Sequence, residues 1–376
     1  MSLALVHDWL NQVGGAEDVL VELVRLFPGA PVFTSIYAPA KMPAPMAAWD
    51  IRPNWLDRLP GIHDHHQPYL PLYPLGFART DLRRYDLVIS NKSGFCHGVR
   101  VRPDAAHICY CLTPTRYVWA PDAYLEREGQ GRLAGLALQP VLAALRRWDY
   151  AAAQRVTHFV AISTAIQARI RRFYHRQSAL IFPPVDVERF RPNNRPPEPF
   201  FLVLSRLIPY KRIDLAVRAC SQLGVKLVVA GDGRDRAALE ALAGPSIEFL
   251  GRVSDAEAED LMARCQAFLF PGLEDFGITP LQAQAAGRPV IAFAAGGALD
   301  PVLAGQTGEF FSEQSVAALA AVLARFSPDH FDPTRCRAQA ERFAAPRFRA
   351  EFLAFVERVQ AGVQPPSAST NSGAAS

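Results

Sequence analysis

Cysteine is scarce and scattered. Cys96, Cys109, Cys111, Cys220, Cys265 and Cys336 form no C-x-x-C pair, which leaves buried thiols in a reducing compartment as their reading. No charged n-region followed by an apolar h-region opens the chain, so no export signal is expected. Long apolar runs are missing too. The longest, 133–145, is interrupted by Gln139 and Pro140 and falls short of the ~20 residues that span a bilayer. Charged residues make up only 20% of the chain, which excludes a disordered polyelectrolyte. No nucleic-acid-binding motif or basic helix array is present, so nucleic acid is not an expected partner. No D-x-D motif sits at a strand end, only the looser Asp186-Val187-Glu188, and no metal is expected. A cytoplasmic protein is the expectation these absences leave.

What is present is enough for two ordinary domains: 376 residues, half of them apolar. Short β-rich runs alternate with helical patterns, the signature of parallel sheets joined by crossover helices. In the first half, strands are expected at 3–7, 86–90, 107–111 and 159–162, and helices at 16–26, 133–155 and 164–173. A Pro- and Asn-rich stretch, 191–199, then breaks the pattern as a linker does. The second half restarts with strands at 200–204, 226–230, 247–249, 267–270 and 289–293. Helices are expected at 212–223, 234–242, 255–265, 277–286 and 348–359. The expected domains are 1–195 and 196–346, followed by a helix over 347–362 that packs back on the first domain, and a disordered tail, 363–376. Charge divides unevenly. Residues 1–195 carry 23 Lys or Arg against 16 Asp or Glu, the remainder 17 against 20, so an anionic partner, phosphorylated or membranous, suits the first half as well as a solvated basic surface does.

Open parallel sheets bind ligands at the carboxyl ends of their strands, and three unusual loops are expected there. The first, 7–17, places Gly14 and Gly15 between a strand and a helix, where bare backbone approaches a ligand and N–H groups face an anion. Alone, such a loop is as readily a tight turn. The second, 205–212, carries Arg206 and Lys211, a fixed guanidinium and a flexible ammonium suited to a diphosphate, or else a solvated basic turn. The third, 271–282, places Glu274 ahead of a helix that opens at Gly277. Its N–H groups favour phosphate, Pro280 is harmless in the first turn, and Gln282 follows two turns on. Glu274 there is either a ligand for sugar hydroxyls or a helix cap. Together the loops fit a nucleoside diphosphate sugar.

At these residues the sequence resembles the large retaining glycosyltransferase family called family 4, or group 1. The resemblance is strongest in SRLIPYKRIDLAV, LVVAGDG, FLGRVSD and PGLEDFGITPLQAQAAGRPVIAF. VHDWLNQVGGAE and SNKSGFCHGV…HICYCLTPTRYVWAPDAYL further resemble bacterial enzymes of exopolysaccharide and O-antigen assembly, many of which use GDP-mannose. The resemblance implies an α/β GT-B fold, two Rossmann-like doubly wound domains facing across a cleft. It implies that Arg206, Lys211 and Glu274 form the catalytic set. Gly14, Gly15, Val253, Phe276, Gly277, Ile278, Thr279 and Gln282 would bind the donor, with Val253 at the base. The implied co-substrate is a nucleoside diphosphate sugar, GDP-mannose, with no cofactor and no metal. The implied acceptor is a saccharide or a polyprenyl-diphosphate-linked saccharide, reached by peripheral contact with the inner membrane face. Two positions depart from the family: Gln282 stands where a ribose-binding Glu is usual, and Leu112 where many relatives have an acceptor-side His.

Residues 51–77, rich in Pro and aromatics, read as an acceptor-side lid or an ordinary surface loop. His63-Asp64-His65-His66 within them is a candidate chelating cluster, although contiguous side chains seldom converge on one ion. His97 reads as a structural histidine. Arg79, Arg83, Arg84, Arg146, Arg147, Arg171, Arg172 and Arg176 are candidates for a lipid diphosphate or anionic headgroups, or are simply solvated. Competing functions are a GT-B epimerase, which lacks its paired acid and base here, a phosphorylase, which lacks its pyridoxal-type lysine site, and a non-catalytic sugar-nucleotide-binding subunit.

Overall fold

The computed structural model describes residues 2–119, 132–193 and 195–362. It divides into two compact units, residues 1–184 with 348–376, and residues 185–347. The expected tail, 363–376, lies outside the described residues.

The first unit is built on seven parallel strands: β1 (Leu3–His7), β2 (Val32–Thr34), β3 (Ile51–Pro53), β4 (Leu87–Lys92), β5 (Ala106–Cys111), β6 (His158–Ala161) and β7 (Ser178–Leu180). They lie in the order β3-β2-β1-β4-β5-β6-β7, so the winding reverses between β1 and β4. Helices α1 (Gly15–Leu26), α2 (Tyr73–Ala78), α3 (Arg132–Arg155) and α4 (Thr164–Tyr174) cross over or flank the sheet. The central strand β4 is buried along its whole length, Leu87 to Lys92, and its neighbours β1 and β5 at all but their first residue, as expected of a parallel sheet covered on both faces.

Residues 51–77 are not a lid. They begin as strand β3 and continue through short 3₁₀ turns into α2. Leu56, Ile62, Tyr73 and Phe77 sit in the core at 0–1% exposure. Closely spaced prolines forbid a long helix, so the chain folds inward in single turns. One of these is capped by the Asn54 side chain, which accepts from the Leu56 N–H at 3.0 Å. Each of those four side chains contributes roughly 1.5–3 kcal/mol by leaving water, and this sets the packing beneath β1. The histidine run diverges: His63 meets Asp57 at 2.9 Å, Asp64 pairs with Lys41, and His66 stacks on Trp9. It builds no chelating site. His97 is fully buried with Nε2 on the Asp149 carbonyl at 3.3 Å.

The second unit has six parallel strands: β8 (Phe200–Leu204), β9 (Lys226–Ala230), β10 (Ile247–Gly251), β11 (Ala267–Phe270), β12 (Val290–Phe293) and β13 (Gly308–Phe311). Their order is β10-β9-β8-β11-β12-β13, reversing between β8 and β11. Its helices are α5 (Ile213–Leu223), α6 (Arg236–Glu240), α7 (Asp255–Arg264), α8 (Ile278–Ala285), α9 (Val316–Arg325) and α10 (Pro333–Glu341). Ser254 starts α7 with a reciprocal capping box to Glu257. The division between the units precedes the Pro- and Asn-rich stretch. Val185 bridges Ala344, and the Arg337 guanidinium donates to the Val187 and Phe190 carbonyls at 2.7 Å each, fixing 185–190 to the second unit. Helix α11 (Ala345–Gln360) belongs to the first unit from Phe348 onward, where Phe348 and Phe352 pack edge-on against Tyr110. All six thiols are buried and free, and burial pushes those of Cys220, Cys265 and Cys336 up to about 12.

Candidate functional site

In a doubly wound sheet the strand reversal opens a crevice at the carboxyl ends. In the second unit that reversal falls between β8 and β11, and the two loops leaving these strands are those bearing Arg206, Lys211 and Glu274.

The loop after β8 is held by its neighbour after β9. The Ser205 N–H donates to the Ala230 carbonyl and the Leu207 N–H to the Asp232 carbonyl, both at 3.0 Å. Gly231 makes this approach possible. Its φ is 130°, and a Cβ there would stand 1.8 Å from the Ser205 carbonyl oxygen. Leu207 is fully buried while Arg206 is exposed, so the loop is anchored through Leu207 and the Arg206 side chain is left to solvent. No carboxylate pairs with Arg206 among the described residues. A 3₁₀ turn, Pro209–Lys211, follows. It directs the Lys211 ammonium onto the Glu274 carboxylate in an ion pair, with the two side chains 19% and 15% exposed.

The loop after β11 is fixed from its other side. The Glu274 carbonyl accepts from the Gly297 N–H at 2.8 Å, and the Pro271 carbonyl accepts from Gln314 Nε2 at 2.9 Å. A Cβ at Gly297 would lie 2.3 Å from the Phe276 N and Cα atoms, so only glycine permits this contact. The Phe276 ring is buried against Phe343, 5.9 Å between centroids. Gly277 then starts α8 without a side-chain cap, which leaves the positive helix end to the recess. Lys211, Glu274 and Thr279 line one recess with Ser205 and Gly272. The recess itself brings together one cation, one carboxylate and the first turn of a helix, a set able to take up phosphate beside a hydroxylated group; Arg206 lies on the same loop and does not line it.

Not all candidates gather there. Gln282 lies on α8, half-buried, and Val253 follows the edge strand β10, two strands from β8. Gly14 and Gly15 belong to the first unit. Gly14 is exposed and its carbonyl accepts from the Glu17 and Asp18 N–H groups at 3.0 and 3.1 Å.

The first unit's reversal point holds polar residues that the sequence reading passed over. Asp8, wholly buried, accepts from the N–H groups of Ser93, Gly94, Phe95 and Cys96 at 2.6–2.8 Å, locking the loop after β4 to β1. His7 Nε2 meets Glu17 Oε1 at 3.1 Å, and its Nδ1 meets Asn91 Nδ2 at 3.2 Å. Behind them Lys92, fully buried, donates to the Thr113 carbonyl and Thr115 Oγ1 at 3.1 Å each. Asp149 accepts from Thr115, Trp119 and Tyr174. The available signal was a charge inside an apolar strand run, at VHD and VISNK.

The fold is that of an α/β protein with two doubly wound parallel sheets, the second carrying a charged recess at its strand reversal. Residues 185–343, nearly all of the second unit, match the family model described as Glycosyl transferases group 1. Over 166 residues the chain is 30% identical to a D-inositol 3-phosphate glycosyltransferase of Mycobacterium marinum, covering 38% of this chain and 36% of that protein. Over 135 residues it is 34% identical to a GDP-mannose-dependent alpha-mannosyltransferase of Mycobacterium tuberculosis, covering 33% and 35%. The chain thus spans about a third of the length of these curated relatives. In structure it is similar to Anabaena HepE in complex with UDP (TM-score 0.69, 17% identity, 95% of this chain and 100% of that one). It is similar also to sucrose-phosphate synthase from Thermosynechococcus elongatus (TM-score 0.71, 18%, 96% and 100%). At such identities the likeness is one of fold: each unit is a parallel doubly wound sheet of the GT-B type. Among the described residues no helix is long and apolar enough to cross a membrane.

Proposed function

We propose that the chain is a retaining family 4 glycosyltransferase. It moves a hexosyl group, mannose from GDP-mannose, to a saccharide or polyprenyl-diphosphate-linked saccharide at the cytoplasmic face of the inner membrane, in cell-surface polysaccharide synthesis. The observation that carries this is the Lys211–Glu274 pair beside Thr279 at the start of α8, in one recess at the β8/β11 reversal, with Arg206 on the same loop after β8. The family match of this unit and the mannosyltransferase among its relatives support the activity and the donor.

In the chemistry that follows, the bond between the anomeric carbon and the diphosphate oxygen breaks, and negative charge grows on the leaving group. Arg206, Lys211 and the α8 N–H groups stabilise that charge more in the transition state than in the ground state. Lys211 must exchange Glu274 for phosphate oxygens, which frees the carboxylate to accept from sugar hydroxyls. The acceptor hydroxyl attacks from the same face and its proton passes to the departing phosphate oxygen. Gln282 can bond a ribose hydroxyl without charge assistance, at a cost of roughly 1–2 kcal/mol relative to a carboxylate.

The test is incubation of purified protein with labelled GDP-mannose, UDP-glucose and ADP-glucose, with and without saccharide and polyprenyl-diphosphate acceptors. Turnover or slow hydrolysis of GDP-mannose, with retained configuration in the product, is the expected result. Binding without turnover under all conditions would make the protein a non-catalytic sugar-nucleotide-binding subunit and end the proposal.

A further inference from the structure

The first unit carries a second charged recess, at the opposite end of its sheet from the reversal-point loops. It is lined by Arg83, Arg100, Arg102 and Arg155 over a floor that includes Gly98, Val99 and Ala105. Arg83 lies just ahead of β4, Arg100 and Arg102 just ahead of β5, and Arg155 just ahead of β6, so all four gather at amino ends of adjacent strands.

These four guanidiniums are not equivalent. Arg83 is held by Asp81 at 2.6–3.1 Å. Arg102 is held by Asp86 at 2.6 Å and Asp104 at 3.0 Å. These three carboxylates hold two of the forks in place. Arg100 and Arg155 face the same recess with no carboxylate partner among the described residues. The backbone of Arg100 is nevertheless rigid: its carbonyl accepts from the Leu82 N–H at 2.8 Å and its N–H donates to the Thr80 carbonyl at 3.0 Å. Arg155 is tethered only to the Ala151 carbonyl one turn back, at 3.3 Å. Beneath them His107 is buried and pushed down to about 3, by burial first and then by the Arg155 charge, so it adds no positive charge of its own at neutral pH. Two forks without an ion-pair contact among the described residues, Arg100 near the Asp81 charge and Arg155 beside none that pairs with it, stand next to two fixed ones over a partly apolar floor, a surface that gains from a multiply charged anion with several acceptor oxygens.

We propose that this recess is an anion-binding site, separate from the β8/β11 recess, that takes a phosphate ester through Arg100 and Arg155. A free phosphorylated metabolite and a phospholipid headgroup present the same chemistry.

The test starts from the full chain carrying Arg206→Ala and Lys211→Ala, which removes the other candidate for diphosphate and makes the result independent of the proposed transferase activity. Inorganic pyrophosphate is titrated by calorimetry, and sedimentation is measured with phosphatidylcholine vesicles with and without phosphatidylglycerol. Binding of either probe is expected. Adding Arg100→Ser and Arg155→Ser weakens it by about tenfold or more, whereas adding Arg171→Ser and Arg172→Ser, the same charge loss outside the recess, does not. Retention only of the soluble probe assigns a free phosphate ester, and retention on phosphatidylglycerol vesicles assigns a headgroup. Circular dichroism melts check folding. Should the serine variant not fold, Arg100→Lys with Arg155→Lys keeps the charge and removes the forks, and unchanged affinity there overturns the assignment. So does absence of binding to both probes, or equal weakening by the two serine pairs.

Discussion

Lys211→Ala and Arg206→Ala separate two roles that the β8 loop combines. Lys211 is ion-paired to Glu274 with both side chains more than four-fifths buried, so its loss leaves a carboxylate without its partner. A buried acceptor stripped of its donor costs about 1–3 kcal/mol. Arg206 is exposed and pairs with no carboxylate among the described residues, so its loss leaves stability unchanged. If both cations stabilise charge on a departing diphosphate, each alanine lowers turnover by about 100- to 1000-fold. The assay pairs steady-state release of GDP from GDP-mannose with urea melts of each variant. Lys211→Ala is expected to lose stability and turnover together, and Arg206→Ala turnover alone. Near-normal turnover in either variant would mean that its cation does not stabilise the leaving group, whatever the melts show.

Gly297→Ala places a methyl group 2.3 Å from the Phe276 backbone. Displacement of the 274–277 loop at a cost of about 1–3 kcal/mol, and a smaller thermal shift on adding GDP-mannose, are expected. An unchanged melt with a full ligand shift would show that the contact is dispensable. Glu17→Ala leaves His7 Nε2 buried without its carboxylate, so a urea melt lower by about 1–3 kcal/mol is expected. His97 and His107 are both held below their ordinary range, chiefly by burial. The unfolded chain therefore binds more protons than the fold as pH falls below about 6.5, and His107 alone lowers stability by about 1.4 kcal/mol per pH unit from there toward about 3; His97 acts in the same direction. His107→Gln should flatten that slope in urea melts between pH 7 and 4, and an unaltered slope would remove His107 from the account.

The second unit was legible because its strands are short, apolar and regularly spaced, and its ligand-facing loops carry charge where the pattern breaks. Strands at 200–204, 226–230 and 267–270 fall where expected. The first unit was less so. Val32–Thr34, Ile51–Pro53 and Ser178–Leu180 span three residues each, too few to show a period, and their pairing with longer neighbours is a tertiary fact. Residues 51–77 misled for a related reason: proline punctuation signals loops, yet here it only shortened the helical turns, while the aromatics went into the core. Asp8 was illegible as an anchor because its four partners are backbone N–H groups more than eighty residues away.

The two reversal points differ in how they treat charge. In the first unit most polar groups at the crevice end of β1 are spent on one another: Asp8 consumes four amides, and His7 joins Glu17 to Asn91, whose Oδ1 alone is left without a partner among the described residues. Such a cluster gains rigidity and offers a ligand no free charge, only the Asn11 and Asn91 side-chain oxygens and the backbone at Gly14 and Gly15. In the second unit Arg206 has no carboxylate partner among the described residues, α8 has no side-chain cap, and the Lys211–Glu274 pair holds two groups of opposite sign in reserve. A ligand bearing both phosphate oxygens and hydroxyl donors can replace that pair with one partner for each member. A simple phosphate satisfies only the lysine and strands the glutamate. On this reasoning Glu274→Gln should narrow the gap in affinity between GDP-mannose and GDP, because a neutral amide, unlike the carboxylate, is not left as an unpaired charge when the sugar is missing. An unchanged ratio in competitive titrations would mean that Glu274 does not face the transferred group.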